Sequence, residues 1–217
     1  MVTPHPEHPN LRVVDHPLIA DKMTHLRDKA QGRRTFRALA AQISGLMVYE
    51  ATHTFPTAPV SVETPLETAE GVHVQGIPTI APVLRAGLGM AGGVLEMLPT
   101  SRVAHIGLAR NEQTLEPETY LCKLPPDLAE GPVLLLDPML ATGGSAVRAA
   151  SLLRDAGAAD LRMLCLVAVP EGVRNMEQHH PGVPIFAAAF DRQLDANGYI
   201  RPGLGDAGDR LFGTEGW

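Results

Sequence analysis

The chain has 217 residues, 45% of them hydrophobic and 19% charged, with a net charge of -6. That composition suits one packed core and excludes extended disorder, and with only 18 Lys plus Arg it disfavours a general nucleic-acid binder, which needs a basic face to release counterions. Cys122 and Cys165 are too few for a disulfide scaffold, and no apolar run approaches the ~20 residues of a membrane span.

The segment Met1–Asn10 is rich in Pro and His, lacks the apolar stretch of a signal peptide and reads as a loose tail, so a cytoplasmic location is expected. Asp15 before Pro17 predicts a helix start, with Leu18, Ile19, Met23, Leu26 and Ala30 at helical spacing and a stop at Gly32. Phe36, Leu39, Ala40, Ile43, Leu46 and Met47 predict a second helix by their apolar stripe. Alternation in Val60–Thr64 and Val72–Gln75 predicts a β-hairpin arm over residues 55–78, punctuated by prolines and Glu70-Gly71.

From Thr79 the pattern becomes rhythmic. Strands are predicted at 79–84, 103–108, 133–136, 163–169 and 183–190, and helices at 87–98, 144–156 and 172–180, with Gly157 as a left-handed cap and an irregular polar stretch after Leu108. Near-continuous apolar strands alternating with helices indicate an α/β fold, a parallel sheet covered on both faces. The whole chain, 1–217, reads as one domain, and its glycine-dense end, residues 198–213, fits neither helix nor strand.

The chemistry concentrates in Val133-Leu134-Leu135-Leu136-Asp137-Pro138-Met139-Leu140-Ala141-Thr142-Gly143-Gly144-Ser145. A strand, a carboxylate, a small hydroxyl-bearing loop and a helix start follow one another. Ligands of open α/β sheets bind beyond the carboxyl ends of strands, and helix N-termini favour anions. Gly143 and Gly144 allow close backbone approach, while Thr142 and Ser145 add hydroxyls. The loop has no lysine, which argues for a phosphate monoester over a triphosphate. Asp137 is placed to hold vicinal hydroxyls, so the pair describes ribose 5-phosphate. Nine histidines form no His-Glu-x-x-His, and His179-His180 read as exposed.

The string Asp137–Ser145 resembles the phosphoribosyl-pyrophosphate (PRPP) motif of uracil phosphoribosyltransferases, a type I phosphoribosyltransferase subfamily with Asp-Pro at this point. Gly198–Arg210 resembles that family's uracil-binding segment, Pro82–Leu88 its first active-site loop, and Gly107–Pro117 the next. Around Arg110 the family pattern is Tyr-Arg-Asp-Glu, whereas this chain has Ala109-Arg110-Asn111-Glu112. The likeness implies a Rossmann-like core with N-terminal helices, a β-arm and a C-terminal hood, and transfer of phosphoribosyl from PRPP to N1 of uracil. It implies PRPP contacts at Arg85, Arg110, Asp137, Pro138, Met139, Leu140, Ala141, Thr142, Gly143, Gly144, Ser145 and Asp206. Uracil contacts fall at Ile200, Gly205, Asp206 and Ala207. Asp137, Arg110 and Asp206 are the catalytic candidates. Mg²⁺ would enter on the pyrophosphate with no direct protein ligand. A homodimer is implied, and a GTP effector, as in some members, would suit the Arg33, Arg34 and Arg37 cluster.

Two other readings compete. Another base is one; orotate would demand a cation in the base pocket, where only Arg201 and Arg210 qualify. An RNA-binding regulator on the same fold is the other, and the acidic balance disfavours it.

Overall fold

In the computed structural model, residues 2–110 and 117–214 are described, apart from the side chains of Arg110 and Pro117. The chain opens with β1 (Leu11–Val13), α1 (Pro17–Arg27) and α2 (Arg33–Ala51), then the hairpin β2 (Thr57–Glu63) and β3 (Thr68–Val74). The alternating part follows as β4 (Thr79–Leu84), α3 (Leu88–Met97), β5 (Arg102–Val103), β6 (His105–Arg110), β7 (Pro117–Lys123), β8 (Val133–Leu136), β9 (Met139–Leu140) and α4 (Gly144–Asp155). It continues through β10 (Leu161–Ala168), α5 (Pro170–His179) and β11 (Ile185–Phe190) to β12 (Gln193–Leu194), β13 (Ile200–Arg201) and α6 (Ala207–Phe212).

The main sheet runs β1-β11-β10-β8-β4-β6-β7, with β5 on β4 and β9 on β10. Its pairings are parallel except β6 with β7. Residues along β8 explain the layering. Leu134 and Leu136 pack toward α1–α3, whereas Val133 and Leu135 pack toward α4 and α5. All four are fully buried, as a strand covered on both faces requires.

The glycines of α3 have a packing reason. A Cβ on Gly93 would lie 1.8 Å from the Ala41 carbonyl oxygen, so α2 and α3 cross with backbones nearly touching.

Several expectations differ from the structure. The α1 cap is His16, whose Nδ1 accepts from the Leu18 N–H at 3.1 Å, in place of Asp15. The hairpin turns at Thr64–Glu67, and Glu70-Gly71 lie inside β3 paired with Ser61 and Val60. The polar stretch after Leu108 contains β7, which folds back on β6 and carries an exposed Cys122. The segment read as a loose tail is held down: His8 is buried, bonded through Nδ1 to Glu177 at 3.2 Å, and the His5 N–H donates to the Leu11 carbonyl at 2.8 Å. The C-terminal segment contains β13 and α6, although glycine density had suggested neither. His180 is half-buried, its Nε2 3.1 Å from both Ser151 Oγ and the Val147 carbonyl.

Candidate active site

The break between β8 and β9 creates the site. After Leu136 the chain leaves the β4 edge, and Met139 and Leu140 pair with Val167 and Ala168 of β10 instead. The Pro138 carbonyl accepts from the Leu166 and Val167 N–H groups at 3.1 and 3.0 Å. Asp137 sits at this step, half-buried, its carboxylate accepting from the Met139 N–H at 3.5 Å. Burial pushes its pKa up to about 7, slightly offset by that N–H. Beneath it, Cys165 is fully buried, and burial, with the Asp137 charge nearby, pushes its thiol pKa up.

The turn Ala141–Gly143 leads into α4. Gly143 has φ 83°, a left-handed conformation that a side chain would strain. No side chain caps α4, so its first-turn N–H groups, those of Gly144, Ser145 and Ala146, remain for an anion. Helix α5 supports the turn from behind. A Cβ on Gly172 would stand 2.5 Å from the Ala141 carbonyl oxygen, and Asn175 Nδ2 donates to the Thr142 carbonyl at 2.8 Å. Asn175→Ala is expected to weaken binding of a sugar monophosphate about 3–10-fold, the loss of one positioning hydrogen bond. Calorimetry checks this; unchanged affinity would show that the turn holds its shape without α5.

A cavity of about 250 Å³ joins this turn to the C-terminal segment. Asp137, Met139 and Ala141 line one side, and Ile200, Gly205, Asp206 and Ala207 line the other. Its size falls just below the usual range of ligand sites, roughly 300–1,000 Å³. Asp206 also caps α6, accepting from the Asp209 N–H at 2.9 Å.

Not every expected residue faces this space: of the turn only Ala141 lines it, and Thr142, Gly143, Gly144 and Ser145 do not. Gly144 lines a separate hollow of about 720 Å³ with Thr119, Arg148 and Asn175. Leu140 is fully buried in the core, and Pro138 is buried and engages β10 through its carbonyl. Arg85 is exposed and turned toward α6, 4.0 Å from Asp209 and 5.8 Å from the Phe212 ring. The Arg110 side chain, Asn111 and Glu112 lie outside the described residues, as does Trp217. Arg37 donates to the Leu211 carbonyl at 3.0 Å, and Gly213 packs against Arg33, so two members of the expected effector cluster contact the C-terminal segment.

Ala86, Gly198, Tyr199 and Gly208 also line the cavity; sequence reasoning placed them in the two matching segments without singling them out. It missed what suspends the far wall. Arg27 pairs with Asp191 at 2.7 Å and donates to the Gly203 carbonyl at 2.6 Å, while Asp191 accepts from the Gly203 N–H at 2.8 Å. Arg210 donates to the carbonyls of Leu26, Leu204 and Asp28 and stacks over Phe36 at 4.2 Å. A larger apolar hollow of about 580 Å³ crosses α1, α2 and α3, but Asp137 and the α4 N-terminus lie elsewhere, so size does not mark the site.

A profile of the uracil phosphoribosyltransferase family matches residues 13–214. A protein named uracil phosphoribosyltransferase from Dictyoglomus thermophilum is 52% identical over 204 residues, covering 94% of this chain and 99% of that protein. One of the same name from Listeria monocytogenes is 49% identical over 207 residues, covering 95% and 99%. The solved structure of the AQ2163 protein from Aquifex aeolicus superposes with a TM-score of 0.90 at 32% identity, covering 95% of this chain and 100% of that one. An adenine phosphoribosyltransferase from Trypanosoma brucei, solved with AMP, pyrophosphate and ribose-5-phosphate, shares the fold at TM-score 0.56 and 11% identity, covering 87% and 86%.

Proposed function

The chain belongs to the uracil phosphoribosyltransferase family, and from that membership we propose how its cavity carries out the reaction. It transfers 5-phosphoribosyl from PRPP to N1 of uracil, giving UMP and pyrophosphate. One observation supports the assignment of roles: Asp137 and Ala141 share a single cavity with Ile200, Gly205, Asp206 and Ala207. The amides that begin α4, with Thr142 and Ser145, hold the 5-phosphate. Asp137 accepts from the two ribose hydroxyls. Uracil offers two carbonyls and two N–H groups, which suit a reader built from backbone around Gly205.

The displacement at C1 builds positive charge on the ribose and negative charge on the departing pyrophosphate. The protein therefore contributes positioning and electrostatic preorganisation, without a covalent intermediate. Ionised Asp137 stabilises the ribose as it becomes electron-poor, and Asp206 orients the N1 proton of the base. Arg85 and Arg110 receive the diphosphate, Arg85 by exchanging Asp209 for it. Among the described residues no group of three or more His, Cys, Asp or Glu could hold a metal ion. An Mg²⁺ ion carried in by the diphosphate would neutralise the leaving group.

The reading extends to three further properties. No described helix is long and apolar enough to cross a membrane, and a cytoplasmic location accords with that. Exposed Val62, Leu66, Val72 and Val74 on the hairpin, with Tyr49 and Met97 beside the apolar hollow, favour a homodimer. Arg34, exposed beside the C-terminal contacts of Arg33 and Arg37, is where a GTP effector would act on the far wall.

The test is direct. Enzyme, Mg²⁺ and PRPP are incubated with one base at a time, and nucleotide is measured. UMP from uracil, with little product from cytosine, orotate or hypoxanthine, is expected; preference for another base would overturn the assignment of the far wall. RNA retained on filters without UMP formation would favour the regulator reading.

A further inference from the structure

A second cavity, about 220 Å³, opens at the opposite end of the sheet, where β10 and β11 begin. Arg162 is the second residue of β10, and Phe186, the second of β11, pairs with Arg12 of β1. Arg162 pairs with Leu134 and Asp137 follows three residues later, so ~10 Å of strand separates this cavity's wall from Asp137, which does not line it. Three arginines line it, Arg12, Arg154 and Arg162, with His53 at the rim and two carboxylates, Glu50 and Asp160.

The three guanidiniums differ in what engages them. Arg162 is satisfied: it forks onto Asp160 with two bonds of 2.8 Å, donates to the Ala51 carbonyl at 2.6 Å and lies over the Phe55 ring at 4.6 Å. Arg154 gives Nη1 to the carbonyls of Ala158 and Ala159, both at 2.8 Å. Arg12 gives Nη1 to the Asn10 carbonyl at 3.2 Å and lies 5.8 Å from the Phe186 ring centroid. Among the described residues, neither Arg12 nor Arg154 forms an ion pair with a carboxylate. Glu50 accepts from the Val2 N–H at 3.1 Å. Partial burial lowers the Arg12 pKa, and the neighbouring Arg162 charge lowers it further. A chain of net charge -6 thus places three guanidiniums against two carboxylates around one small hollow, with no ion pair to Arg12 or Arg154 among the described residues.

We propose that this cavity is a second binding site, for a phosphate-bearing anion held by Arg12 and Arg154. Guanidinium forks match tetrahedral oxyanions, and the hollow has room for phosphate, pyrophosphate or a sugar phosphate. The occupant neutralises Arg12 and Arg154 and touches the wall that Arg162 builds. Through its bond to the Ala51 carbonyl and its place over the Phe55 ring, Arg162 also secures the point where the chain leaves α2 for the hairpin.

The test titrates the intact enzyme with inorganic phosphate, pyrophosphate and ribose 5-phosphate by calorimetry, beside R12Q and R154Q. The anion that belongs here binds wild type at two sites, one of them in the active site. One of those sites weakens about 10–100-fold in R12Q, as loss of charge-assisted bonds predicts. Wild-type crystals soaked in tungstate should show a peak among Arg12, Arg154 and Arg162, so the result stands even if a variant folds poorly. A single equivalent for all three anions, with tungstate density confined to Gly144 and Ser145, overturns the proposal.

Discussion

Asp137→Asn is expected to lower kcat/KM for UMP synthesis by about 10²–10³-fold while making the free enzyme more heat-stable above neutral pH. Activity falls because an amide can accept only weakly from two hydroxyls and cannot balance charge at C1; two charge-assisted bonds at ~1.5–3 kcal/mol each set the scale. Stability rises for the opposite reason. The folded pKa of Asp137 stands near 7, above the ordinary 3.8, because burial disfavours the ion. A carboxyl raised in this way binds its proton more tightly folded than unfolded. Its destabilisation is absent below pH 4, grows between pH 4 and 7, and is complete above 7. Because the side chain is only half-buried, the full shift is discounted to roughly 2 kcal/mol, or about 4–8 °C in a domain of this size. Melting curves of both proteins at pH 4, 6 and 8 test this: the gap should open with pH. A gap that is constant, or reversed at pH 8, would refute the charged-and-buried account.

Gly93→Ala is expected to cost about 3–5 kcal/mol, enough to leave little folded enzyme at 37 °C. A methyl there would stand 1.8 Å from the Ala41 carbonyl oxygen and 2.6 Å from its carbon, so α2 and α3 must part by more than an ångström. That crossing adjoins the buried Ile43, Met47, Met90 and Val94, whose packing would open with it. The neighbouring glycine supplies an internal control. A Cβ on Gly92 meets nothing within 4 Å, and the position is exposed. Gly92→Ala should therefore stabilise by about 0.5–1 kcal/mol through helix propensity alone. Urea unfolding of the two variants decides the matter; similar effects at both sites would mean that propensity, not proximity, governs α3.

How much could be read beforehand followed from distance along the chain. Asp137 through Ser145 is contiguous, so strand, carboxylate, turn and helix start were visible as one string. The hydrophobic rhythm gave the parallel strands and most helices because each pattern is local. The far wall was legible only through resemblance. Asp206 as a cap and Gly213 at φ 70° are ordinary helix-end signals, but six residues between them carry no periodicity. β7 hid because its partner, β6, buries only one side of it and its sequence alternates weakly. The suspending contacts were invisible in principle. Arg27 meets Asp191 and Gly203, and Arg210 meets Leu26 and Asp28; no spacing rule links groups so far apart.

Those suspending arginines have a consequence for how the enzyme fails and how it diverges. The sugar-phosphate half of the pocket is a property of the sheet, whereas the base-reading half hangs from Arg27, the last residue of α1, and from carbonyls at Leu26 and Asp28. Damage to the chain's first thirty residues should therefore surface as poorer discrimination among bases before the grip on ribose is lost. A lineage could likewise exchange one nucleobase for another by rewiring that suspension while leaving the phosphate turn untouched.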